Sequence, residues 1–205
     1  VSEKVDLKRE IAAYRARRGG FDVVDVPALT YLAVDGHGDP NGPAFAAATE
    51  ALYPLAYALK FASRDALGRD YVVPPLEGLW WADDWRAFTT ARDKSAWDWT
   101  LLILVPDWVP AELLEPAREG VAQRRAPARL DDVRRETLHE GRCVQTLHVG
   151  PFDDEAPVLA RMHDEVIPER GLRMRGRHHE VYLGDPRRVA PERMRTILRQ
   201  PVDPA

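Results

Sequence analysis

The order in which apolar runs and helix-like stretches follow one another constrains this chain more than any single motif. Two apolar stretches, FDVVDVP and LTYLAVDGHGDPNG, come first, split by a proline, and read as a β-hairpin or as two consecutive strands. Residues 43–64 then carry Phe45, Leu52, Leu55 and Leu59 at helical spacing, with Pro54 predicting a kink or a break. EGLWWADDW and WDWTLLILVPDWV follow as strands, and residues 110–125 read as a helix. The order then returns. DVRRETLHEG and RCVQTLHVGPF read as a second hairpin turning at Glu140-Gly141, residues 153–169 as a helix with an acidic start, and HHEVYLGDP and RTILRQPV as two more strands. Hairpin, helix, strand, strand, met twice, predicts a pseudo-twofold α+β protein with helices on one side of antiparallel sheets and a ligand groove between the repeats. On this reading residues 1–20 are an arm or short helix, 21–109 the first repeat, 110–128 the connecting helix and 129–205 the second repeat, all within one domain.

Composition narrows the function classes. The chain has 205 residues and a net charge of −4, where a dedicated nucleic-acid binder would more often present a basic face. Too few residues precede the first strand for a helix-turn-helix unit, so direct DNA binding is not expected. No run approaches the roughly 18 apolar residues of a membrane span, and the charged start VSEKVDLKREIAAYRARR lacks the apolar core of a secretory signal. The single cysteine, Cys143, excludes an intramolecular disulfide and fits a reducing cytoplasm.

Familiar catalytic and metal-binding arrangements are absent. The serines are Ser2, Ser63 and Ser95, none in a Gly-x-Ser-x-Gly turn. On a strand Cys143 shares a face with Gln145 and Leu147 while His148 points away, so Cys143 reads as a buried small residue and not as half of a Cys–His pair. His178 and His179 are adjacent and point to opposite faces, and His139 and His148 have no partner at a metal spacing; neither a metal nor a cofactor is expected. HGDPNG is a turn that launches a helix, without a dinucleotide or phosphate-loop fingerprint. Arg170, Arg173, Arg175 and Arg177 read as a solvated basic loop interrupted by acids.

The aromatic residues and one carboxylate remain. Strand alternation in HHEVYLGDP puts His178, Glu180 and Tyr182 on one face, with His179, Val181 and Leu183 on the other, which looks like core. Four of the six tryptophans fall between Trp80 and Trp97. Some must be core, but tryptophan also stacks flat or cationic ligands. Tyr31 and Tyr71 are placed where they can reach a groove. A buried Glu180 has either a structural partner, such as Arg177 or Arg187, or a job as counter-ion or general base.

The runs YLAVDGHGDPNGPAF, DYVVPPLEGLWW, VQTLHVGPFDDE and HHEVYLGDP, with the combined patterns PLEGLWW, HxGPxxxE and HHExYLxDPR, resemble the stand-alone branch of the GyrI-like small-molecule-binding family. The resemblance runs from about residue 6 to 202. It implies an α+β fold of duplicated strand-helix-strand-strand modules with pseudo-twofold symmetry and a ligand groove between the repeats, with the family's Glu-x-Tyr strand motif falling on Glu180 and Tyr182. It also implies a groove for planar lipophilic, often cationic compounds (multidrug binding), lined by Glu180, Tyr182, His178, Trp81, Tyr71, Trp99, Trp97 and Tyr31. Protection would come by sequestration or breakdown of the bound compound. Some stand-alone members are implied to be hydrolases of cyclopropane-bearing DNA-alkylating natural products, with Glu180 as base and Tyr182 as a further catalytic residue. A protein-partner role, such as gyrase inhibition, is a third implication.

Overall fold

The computed structural model describes residues 4–82, 93–185 and 188–205. Trp85 and Arg187, on which the sequence reading drew, lie outside the described residues, as does the end of EGLWWADDW. The chain forms two compact units that interleave in sequence. One is drawn from residues 1–10, 29–74 and 82–138, the other from 11–28, 75–81 and 139–205.

Among the described residues the first unit holds three antiparallel strands. β2 (Leu29–His37) pairs with β4 (Asp98–Val105) from Thr30↔Val105 to His37↔Asp98, and with β5 (Arg134–Leu138) from Leu29↔Leu138 to Ala33↔Arg134. The continuous apolar run of β4 is buried from Trp99 to Val105, as its lack of alternation requires. A short α1 (Leu7–Glu10) precedes these strands, and the long α2 (Pro43–Leu67) packs across β2 and β4. Pro43 opens α2, and Gly68 closes it in the left-handed conformation (φ 66°), giving its N–H to the carbonyls of Arg64 and Ser63. Pro54 does not break the helix. It removes one backbone donor, whereas Ala48, Ala51, Leu52, Leu55, Ala56 and Leu59 bury a continuous stripe. α3 (Leu114–Arg124) lies against α2.

The second unit is a five-strand antiparallel ladder in the order β1 (Asp22–Val26), β6 (Gly141–Val149), β9 (Arg195–Pro204), β8 (His178–Tyr182), β3 (Leu76–Trp81). A three-residue β7 (Leu172–Met174), which sequence alone did not reveal, joins the far end of β9. The predicted helix over 153–169 is a composite: a 3-10 turn, α4 (Ala156–Ala160), a π-helical turn at Arg161–Val166 and α5 (Ile167–Glu169). Its Met162, Val166 and Ile167 close one core with Val144, Leu172, Leu198 and Val202.

The expected α+β class with antiparallel pairing is what the chain adopts. The hairpins are not. β1 and β2 do not pair with each other, which leaves the alternative of two consecutive strands. β5 and β6 do not form the second hairpin either: β5 pairs with β2, and β6 with β1 and β9. The supposed turn residue Glu140 is 7% exposed, its carboxylate drawn inward by His179 and Arg199 while its neighbours His139 and Gly141 stay exposed.

Candidate functional site

Register sorts the residues of the second unit onto two faces. Gly78 stands opposite Glu180 and Trp80 opposite His178; Glu180 stands opposite Leu198 and Tyr182 opposite Thr196. One face therefore gathers His178, Glu180, Tyr182, Gly78, Trp80 and Thr196, as alternation in HHEVY predicts for the first three. On it the Trp80 indole N–H donates to the Tyr182 hydroxyl at 2.9 Å, and that hydroxyl donates to Glu180 Oε2 at 2.8 Å. His178 Nε2 lies 3.5 Å from Glu180 Oε1, and neither ring nitrogen completes a hydrogen bond among the described residues. Phe152 meets the Tyr182 ring edge-on at 5.5 Å, and His163 stands edge-on to His178 at 5.8 Å. The Glu180 side chain is 14% exposed, so this carboxylate stands among aromatic rings and is largely shut off from solvent.

Electrostatics separates the groups. Burial, reinforced by the Glu180 charge, holds the Tyr182 phenol well above its ordinary value. Glu155, 5% exposed, is pushed up to about 10 by burial and then by the Glu180 charge; the nearby Thr196 hydroxyl offsets part of this without completing a hydrogen bond. Burial, then His178, pushes His163 down to about 3, a neutral imidazole. Glu155 closes the HxGPxxxE pattern, which is the one sequence signal that pointed to it.

Gly78 makes the indole–phenol contact sterically possible. A Cβ there would stand 2.8 Å from Trp80 Nε1 and 3.0 Å from the Tyr182 hydroxyl. Gly78→Ala is expected to cost about 1–2 kcal/mol and to break the Trp80–Tyr182 hydrogen bond. Thermal unfolding and the position of tryptophan emission check both effects.

The opposite face carries a buried charge network that the sequence did not reveal. His179 Nδ1 donates to Glu140 Oε1 at 2.9 Å, and its Nε2 is ion-paired with Glu77 Oε2 at 2.9 Å. Tyr14 donates its hydroxyl to the other oxygen of Glu77. Arg199 donates to Glu140 Oε2 at 3.1 Å, to Gln145 Oε1 at 3.1 Å and to the Ala13 carbonyl at 2.7 Å. Burial alone would lower His179, but the charge and hydrogen bonds of Glu140, then Glu77, reverse this and lift it to about 9. Burial likewise opposes ionisation of Glu140, yet His179 and Arg199 bring it down to about 2. The network ties residues 11–17 to the ladder, so His179 is core, but charged core.

The remaining predicted site residues divide as follows. Trp81 follows Trp80 and so points to the other face, where the Arg177 guanidinium lies 3.6 Å from its ring; Trp80 is the indole on the Glu180 face. Tyr31, Tyr71, Trp97 and Trp99 belong to the first unit. Trp99 is fully buried, its ring against the Cα of Gly36 (where a Cβ would come within 1.9 Å), edge-on to Phe45, its N–H on the Gly38 carbonyl at 3.1 Å. Tyr71 is buried edge-on to Trp108, Tyr31 is buried in β2, and Trp97 is half-buried under Lys94. Among the described residues no cluster of three or more His, Cys, Asp or Glu side chains could hold a metal ion, and no helix is long and apolar enough to cross a membrane.

Residues 21–203 match the model of the GyrI-like small molecule binding domain. No curated protein matches the chain. Among solved structures, an uncharacterized conserved protein from Listeria innocua is 38% identical, with a TM-score of 0.89 over 98% of this chain and 100% of its own. A hydrolase from the same organism is 37% identical, with a TM-score of 0.85 over the same shares. The EcmrR C-terminal domain, 11% identical with a TM-score of 0.57 over 91% of this chain and 98% of its own, shares the fold. The chain belongs to the GyrI-like small-molecule-binding family.

Proposed function

We propose that this protein binds planar, lipophilic, often cationic aromatic compounds on the Glu180 face and protects by sequestering or breaking them down. One observation carries the reading: the Glu180 carboxylate is held by the Tyr182 hydroxyl within a shell of Trp80, Tyr182 and Phe152, 14% exposed. A fixed anion among rings attracts a delocalised cation without demanding precise hydrogen bonds, and stacking tolerates many ring shapes. Titration with a rhodamine-type cationic dye and a neutral planar analogue is expected to give saturable quenching of tryptophan emission by both. Absence of quenching by either removes the reading and directs attention to a protein partner.

A second reading, hydrolysis of a cyclopropane-bearing alkylator, is favoured by the 37% identity to a Listeria hydrolase and by the phenol-bound carboxylate. Glu180 would take a proton from water as the water oxygen bonds to the strained carbon. The electron pair of the breaking C–C bond would pass to the conjugated carbonyl oxygen, which then takes up a proton. Turnover would appear by mass spectrometry as addition of one water to the substrate. Sequestration leaves the ligand mass unchanged.

A further inference from the structure

Four buried polar atoms around Glu180 make no hydrogen bond among the described residues: Glu155 Oε1, Thr196 Oγ1 and both ring nitrogens of His178. Folded proteins satisfy nearly all such groups, and an unsatisfied buried acceptor costs far more than an exposed one. A purely stacking ligand, flat and without N–H groups, would leave them as they are. A ligand that donates hydrogen bonds can satisfy the oxygen atoms among them.

Glu155 is placed to receive one. It stands three residues after Phe152, whose ring packs on Tyr182, and so is carried over the Tyr182–Thr196 pair of the ladder. The groups that face it are Glu180 and Tyr182 from β8, Thr196 from β9 and Asp153 from its own segment. All are acidic or neutral.

We propose that Glu155 is the second carboxyl of the Glu180 site, and that the pair selects flat ligands whose cationic head donates hydrogen bonds: a protonated amine or an amidinium. The inference rests on the Glu180 face being the binding site. Without a ligand Glu155 keeps its proton, for burial and the Glu180 charge both oppose its loss. When an amidinium enters, the Glu155 O–H bond breaks, its proton passes to solvent, and the carboxylate left behind accepts the ligand's N–H. Charge balances, with two carboxylates facing a cationic head. A quaternary cation, with no N–H to offer, binds beside Glu180 and leaves the Glu155 proton in place.

The test is calorimetric titration of the protein with 4′,6-diamidino-2-phenylindole, a flat diamidine, and with a planar quaternary pyridinium dye, in phosphate and in Tris. The diamidine is expected to release about one proton per site, with affinity rising about tenfold per pH unit between about pH 6.5 and 8.5. The quaternary dye is expected to bind with no pH slope. Glu155→Gln, which mimics the neutral carboxyl and so preserves the empty site, is expected to abolish proton release and to weaken the diamidine about tenfold relative to the dye. Diamidine binding without proton release in the wild type, or release that persists in the variant, overturns the inference and leaves Glu180 as counter-ion. Failure of both ligands to bind the wild type removes the Glu180 reading itself, and this inference with it.

Discussion

Glu180→Gln is expected to weaken a cationic dye about 10- to 100-fold and to leave a neutral planar analogue within about twofold. The substitution changes charge and almost nothing else. Glutamine keeps the side-chain length and a carbonyl oxygen, so the Tyr182 hydroxyl retains an acceptor and Trp80 retains the phenol oxygen to which it donates. What is lost is the negative charge in a site sheltered from water, where Coulomb attraction is several-fold stronger than in bulk solvent. Parallel fluorescence titrations of wild type and variant separate the contributions. Equal loss for both ligands would mean that Glu180 shapes the cavity and does not serve as counter-ion.

Glu140→Gln is expected to cost about 3–5 kcal/mol, the range for removing one partner of a buried charge network. His179 and Arg199 both lean on that carboxylate, and without its charge two buried cations face each other with Glu77 as the remaining acid. The pH dependence has a definite sign. Glu140 is held at about 2 against an ordinary 4.5, so its contribution is full above about 4.5 and is lost as pH falls towards 2. His179 is lifted to about 9 from 6.5, so its contribution is full below about 6.5 and is lost as pH rises through 9. Wild-type stability from this network is therefore greatest between about pH 4.5 and 6.5. Urea unfolding between about pH 4.5 and 6.5 checks the cost, and unfolding followed down from about pH 4.5 towards 2 is expected to show the variant without the acid dependence that Glu140 supplies.

The strand face bearing Glu180 was legible because period-two alternation needs only HHEVY itself. The choice between Trp80 and Trp81 was not. It depends on Gly78 standing opposite Glu180, a pairing between residues about a hundred positions apart that no local pattern encodes. Glu77 and Glu140 were missed for a related reason. A glutamate beside glycine reads as a turn or a solvated edge, and only the arrival of His179 and Arg199 makes its burial tolerable. The α+β class did not depend on the hairpin at Glu140-Gly141, which does not form, nor on how the first two strands pair; what local sequence did not supply was the identity of each strand's neighbour. Tyr31, Tyr71 and Trp99, named with the groove, are each buried within the first unit.

The interleaving of the two units bears on how fast the molecule can form. The second unit draws on three separated stretches of chain, and the hydrogen bond from Arg199 to the Ala13 carbonyl joins residues 186 positions apart. Large loops must close before β9 can hold the early segment, so conformational entropy is spent long before the network returns stabilisation. Folding of this unit belongs on the slow side of what its size alone would suggest. No fragment that leaves out the first unit contains all its strands, so the Glu180 face forms only after distant stretches of chain have met.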